Sequence, residues 1–234
     1  QARRQAAPSS AEHLPSGAVT TMARVERLAP LTGFLAAGLI FAEFLVAGTT
    51  PTLTDSPQDV VSYFTDNRTQ QEIASCLFGL AAVALIWFGA TLRSALQAVP
   101  GLSQTLGSVA AAGTVVIGVW LSILASLGLA AAHSVGKVPA SVTQTLNVQN
   151  SQDVFVPFAV GATILLLATA IAVLRDRALP QWSGWLSLAL GTLALVALIV
   201  GALASPGIGF LGFLSLILWT PVVSVLIYRR QPAS

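Results

Sequence analysis

The sequence predicts an all-α membrane protein with six transmembrane helices, and three observations carry that class. Six apolar stretches recur along the chain, each near the roughly 20 residues that cross the hydrocarbon layer at the helical rise. Charged residues are 9% of the 234 and hydrophobic ones 55%, whereas a soluble domain carries about 25% charged residues. The arginines gather in alternate connections, the pattern that fixes orientation in a bilayer. Lipid is therefore the solvent for most of the chain.

Residues 1–27 are polar, rich in Ala, Ser and Pro, and lack apolar periodicity. They read as a flexible cytoplasmic tail, within which Met22 offers an alternative start. Residues 28–230 form the membrane domain, and 231–234 a short C-terminal tail. The first span, 28–49, is longer than the h-region of a signal peptide, about 7–15 residues. It also carries Glu43, the one ionisable residue well inside any span.

The first polar loop, 50–71, contains a short helix around 56–64. Ser56 caps it, Pro57 suits its first turn, and Asp59 favours the positive end of its dipole. Val60, Val61 and Phe64 share a face, which rests on the membrane surface or on the bundle. Val60, Tyr63 and Phe64 are the residues expected to meet a partner.

The second span, 72–96, ends near Arg93, and a turn at 99–104 leads into the third, 105–133, which closes on His133. The second polar loop, 134–152, includes PASVTQTLNVQ, another short surface helix. Asp153 is the expected cap of the fourth span, with Pro157 in its first turn, and Arg175-Asp176-Arg177 follows its end at 174. Trp182 and Trp185 open the fifth span as interface anchors. A hairpin at Ser205-Pro206-Gly207 leads to the sixth span, 208–228, in which Pro221 predicts a kink and after which Arg229 and Arg230 mark the stop.

With both termini cytoplasmic, nine arginines lie inside, and only Arg68 and Lys137 outside. Both polar loops then face away from the cytoplasm. Gly33 with Ala37, Gly107 with Ala111, and Gly113, Gly118, Gly191 and Gly201 supply the small residues that let helices approach closely in lipid.

Four segments carry a family resemblance: RLAPLTG at 27–33, SPQDVVSYFTDNR at 56–68, TLNVQNSQDVFVPFAVG at 145–161 and ALPQWSGWLSLALG at 178–191. Together they resemble a broad family of six-helix membrane proteins of high-GC bacteria, close to the domain-of-unknown-function group numbered 4386. The resemblance implies a fold and a bacterial plasma-membrane location, and transfers no catalytic residue.

The chemistry is narrow. A net charge of +2 without basic clusters argues against nucleic acid. The lone Cys76 excludes an intrachain disulfide and a CxxC site, and reads as a small apolar packing residue. His13 and His133, the only histidines, offer no haem or zinc spacing, and no cofactor is expected. Phosphate-loop, nucleophile-elbow and paired membrane aspartate signatures are absent from the sequence. Trp87, Trp120 and Trp219 read as aromatic packing.

Glu43 is the strongest signal, because an ionisable group in the hydrocarbon region is a functional hypothesis by default. It moves a proton or cation or binds a cationic ligand, or else it is structural: protonated, hydrogen-bonded, or paired with Arg68, Lys137 or His133. Glu43, His133 and Arg68 are thus the candidate ligand or ion residues. The expectation is a non-enzymatic protein that binds membrane lipids or sits as an accessory subunit in a larger complex, with the outer loops as contact surface. The alternatives are a small oligomeric transporter or channel using Glu43 and, more weakly, an outer-leaflet lipid enzyme using loop Asp residues and His133.

Overall fold

The computed structural model describes residues 27–52, 54–101, 103–150, 156–203 and 209–230. Tails 1–26 and 231–234, the Asp153 cap and the 205–207 hairpin lie outside them. Among the described residues the regular structure is entirely helical. After a 3-10 turn at Ala29–Leu31 come α1 (Thr32–Ala47), α2 (Pro57–Asp66), α3 (Arg68–Gln97), α4 (Ser103–Ser134), α5 (Ala140–Asn150), α6 (Val156–Asp176), α7 (Gln181–Leu203) and α8 (Gly209–Arg230). Six of these, α1, α3, α4, α6, α7 and α8, are long and apolar enough to cross a membrane.

The spans pack in chain order into a closed ring. α1 meets α3, then α4, α6, α7 and α8 follow, α8 returns to α1, and an α6–α8 contact fills the middle. Ser224 on α8 fastens the closure: its hydroxyl donates to the Pro30 carbonyl and accepts from the Phe34 amide at 3.2 Å. Trp219, fully buried, donates its indole N–H to Ser187 of α7 at 2.6 Å and meets Phe88 of α3 edge to face. α8 runs through Pro221 as one helix.

Small residues set how closely the helices approach. A Cβ on Gly113 of α4 would lie 2.7 Å from the Gly161 carbonyl oxygen and from the Leu165 amide nitrogen of α6. Those are backbone atoms that cannot yield, so the α4–α6 seam requires glycine there. The outer surface is apolar, with Leu45, Leu80, Val83, Trp87 and Leu218 exposed, as lipid-facing positions are. Cys76 is exposed too, so its expected packing role fails: its register on α3 points it away from the neighbouring helices.

α3 and α4, of 30 and 32 residues, exceed the roughly 20 that hydrocarbon requires. α3 begins at Arg68 rather than at 72 because only Asn67 separates it from α2, and the Asn67 side chain donates to the Tyr63 carbonyl at 3.0 Å. The projecting ends support the two short helices. α2 has its expected cap: Ser56 Oγ accepts from the Asp59 amide while the Asp59 carboxylate accepts from the Ser56 amide. Its apolar face, Val60 and Phe64, is buried against Ala131 and Ala132 of α4, with Tyr63, Val135 and Leu146 around them. Val60 and Phe64 therefore have no surface left for a partner, which corrects that expectation: the face is fully occupied within the chain.

The other end is held differently. Asp176, at the end of α6, accepts from the Ser103 amide and hydroxyl, both at 2.7 Å. It thereby caps α4 from across the bundle, satisfying donors that the first turn leaves open.

Candidate functional site

The candidate site lies where α1 ends beneath α2 and α5. The last carbonyls of a helix have no partner within it, and on α1 the neighbours supply donors. Gln70 Nε2 donates to the Val46 carbonyl; Tyr63 Oη donates to the Ala47 carbonyl at 3.0 Å; Gln71 Nε2 donates to the same carbonyl at 3.2 Å and to Tyr63 Oη at 2.7 Å. α5 adds two ties to the α1–α2 connection, Asn147 to the Pro51 carbonyl at 3.2 Å and Gln144 to the Asp55 carbonyl at 3.0 Å. These bonds form a polar cap across one end of the bundle. Burial pushes the Tyr63 phenol above its ordinary value, and the negative charge of Glu43, once ionised, adds to it.

Beneath the cap is a chamber of about 60 Å³, above the roughly 10–15 Å³ that a single water needs. Glu43, Trp120 and Asn150 line it, with Gln71, Asn147 and Thr50 toward the cap and Phe78, Leu124 and Phe213 toward the bundle. Glu43 is 6% exposed and Trp120 8%. Three of the residues that line it each carry a buried polar atom with no hydrogen-bond partner: Glu43 Oε2, Trp120 Nε1 and Asn150 Oδ1. Buried polar atoms are nearly always paired, so three orphans on one small cavity single it out. Trp120, read from sequence as packing alone, thus also brings an unpartnered N–H to the residues around the chamber.

The residues expected to join Glu43 do not. Arg68 Nε and His133 Nε2 both reach Glu72 Oε1, each at 3.0 Å, forming an exposed cluster on the flank of the projecting helices. Lys137 is exposed. Among the described residues no Lys, Arg or His lines the chamber, and the expected pairing of Glu43 with Arg68, Lys137 or His133 is not made: Glu72, one turn along α3 from Arg68, holds Arg68 and His133. Sequence reasoning missed Glu72, although its i,i+4 spacing from Arg68 is a readable helix pair.

A second feature occupies the opposite end. Between the start of α1, the last turns of α3, the α6–α7 turn and the end of α8 lies an open groove of about 620 Å³. Ala90, Thr91, Ser94, Ala95, Ala98 and Leu179 form much of its wall, and Arg230 stands in it. The Thr91 and Ser94 hydroxyls donate to carbonyls of their own helix, those of Trp87 and Ala90, which leaves Arg230 as its charged donor. One guanidinium nitrogen donates to the Ala178 carbonyl at 2.6 Å, fixing the fork at the lip. A shallower groove of about 380 Å³ runs along the other flank of α8, between Trp182, Pro221, Val225 and Arg229. Among the described residues no acid lines either groove, and Arg27, Arg93, Arg175 and Arg177 lie at this same end of the spans.

No family model, curated protein or solved structure matches the chain.

Proposed function

We propose that the chain is a multi-pass protein of the bacterial plasma membrane that acts by binding lipid, without catalysis, at its arginine-rich end. In this reading the described ends of α1 and α8 face the cytoplasm, and α2 and α5 cover the outer side. The single observation that carries it is the α3–α8 groove: a largely apolar wall, a guanidinium held at the lip, and no acid among its described lining residues, Asp176 close by being turned to Ser103. Basic pockets between transmembrane helices on the cytoplasmic side suit phospholipid head groups, and a bidentate guanidinium fork matches phosphate geometry. The resemblance to six-helix bacterial membrane proteins supports the location alone.

The ligand of this reading is an anionic phospholipid, chain in the groove and phosphate on Arg230. Delipidated protein in mild detergent is expected to rebind phosphatidylglycerol stoichiometrically in native mass spectrometry. Ser94→Trp, which fills the groove, should abolish that binding, and Arg230→Gln should weaken it about tenfold, the equivalent of 1.4 kcal/mol. Equal binding by wild type and Ser94→Trp would reject the reading. Reporters fused at residues 100 and 145 test the orientation and should land in opposite compartments.

Transport through Glu43 is the second reading, supported by the buried carboxyl itself. One carboxyl in a chamber of about 60 Å³ carries it less far than the groove carries lipid.

A further inference from the structure

The three orphaned atoms under the cap differ in kind, and the difference identifies what fits between them. Trp120 Nε1 is only a donor, Asn150 Oδ1 only an acceptor, and Glu43 Oε2 an acceptor that becomes a donor when it carries a proton. A dehydrated metal cation or an ammonium ion would satisfy the two oxygens and leave the indole N–H facing a positive charge. A water molecule satisfies all three: it accepts from the indole and donates one hydrogen to each oxygen. Buried waters typically make about three such bonds to otherwise unpaired groups, and the chamber volume of about 60 Å³ is enough to hold water.

Charge is the second constraint. Glu43 sits four residues before the end of α1, the carbonyl end of the helix dipole, where a negative charge is disfavoured. From α2 the facing titratable group is the Tyr63 phenol, itself an acid. From α3 come neutral Gln71, from α4 neutral Trp120, from α5 neutral Asn147 and Asn150, and from α8 apolar Phe213. Glu72 turns to Arg68 and His133. Among the described residues nothing positive balances an ionised Glu43, and an unbalanced buried charge is costly. The neutralising species is then one that enters through water.

We propose that the chamber under the α2–α5 cap is a hydrated proton-binding site, in which one or two waters bridge Glu43, Trp120 and Asn150 and deliver a single exchangeable proton to Glu43. The step is a transfer along a hydrogen bond: the bridging water gives a proton to Glu43 Oε2 and recovers one from solvent, toward which the lining residues Gly48 and Thr50 are the more exposed. This inference stands on the chamber and is independent of the lipid groove.

Infrared difference spectroscopy on the intact chain in lipid nanodiscs, with pH jumps, tests it. The expected result is one carboxyl band that appears on acidification, shifts in heavy water and is lost in Glu43→Gln. A water band sensitive to oxygen-18 should accompany it and be lost in Trp120→Phe, whose carboxyl band should persist. Near-UV circular dichroism confirms that both variants fold. Absence of the carboxyl band in the folded wild type, or of the water band, overturns the proposal. Loss of the carboxyl band on adding sodium chloride at constant pH also overturns it, in favour of a metal-cation site.

Discussion

The two ends of the bundle are built on opposite principles. At the end covered by α2 and α5, side-chain amides and a phenol turn inward and satisfy backbone carbonyls, closing the space above Glu43 down to about 60 Å³. At the arginine-rich end the cross-bundle ties are scattered, Asp176 to Ser103, Arg230 to the Ala178 carbonyl and Ser224 to the Pro30 carbonyl, and the helices part to leave a groove of about 620 Å³. The difference comes from the connections that join the spans. A long polar connection can fold into a short amphipathic helix and return as a lid. A tight turn such as 98–102 or 177–180 has no side chains to spare. One end is therefore covered over a buried carboxyl, the other open and greasy with a charged lip.

The contrast between the ends breaks most severely if their shared middle fails. Gly113→Leu forces a side chain into the α6 backbone, and overpacking of this kind costs about 3 kcal/mol or more. Lipid rebinding and the burial of Tyr63 should be lost together in one unfolding transition, followed by near-UV circular dichroism. If one end survived the other, the ends would be separate units. Asp176→Ala removes two hydrogen bonds and a helix cap at the open end, a loss of about 1–2 kcal/mol. It should lower the thermal midpoint while leaving the Glu43 infrared band unchanged.

The smallest effect belongs to the sealed end. Tyr63→Phe deletes one hydroxyl bonded to Ala47 and Gln71, worth about 1 kcal/mol. It also has a pH signature. Burial raises the folded phenol above its ordinary value of 10.0, so the unfolded chain releases this proton first as pH rises. The unfolded state then binds fewer protons, and stability falls once pH passes that ordinary value. Thermal midpoints across the alkaline range should show that decline in wild type and a shallower one in Tyr63→Phe.

Much of the architecture was legible because lipid imposes a length and a composition on every span. The six spans and the Ser56–Asp59 cap follow from local sequence. Glu43 was legible by its type alone, as a carboxylic acid among apolar neighbours. Its surroundings were not: Trp120 and Asn150 belong to distant elements, and a tryptophan or an asparagine has a common packing or surface role that masks any other. The contest for bases was hidden for the same reason, since nothing local says that Glu72 rather than Glu43 receives His133. The groove left a trace that reads two ways. Ala90, Ser94 and Ala98 repeat every four residues on α3, a spacing that usually means close helix contact, and here much of that stripe faces a gap.

The bond between Ser224 and the first turn of α1 has a consequence for how the bundle is made. Spans enter a bilayer roughly in the order of synthesis, yet α1 has one flank that only α8 can cover. Until α8 arrives, the Phe34 amide and Pro30 carbonyl lack their partner, and among the spans α1 packs on α3 alone. Ring closure thus falls to the last helix inserted, and a defect near Ser224 would surface as a late assembly failure, sparing the early hairpins.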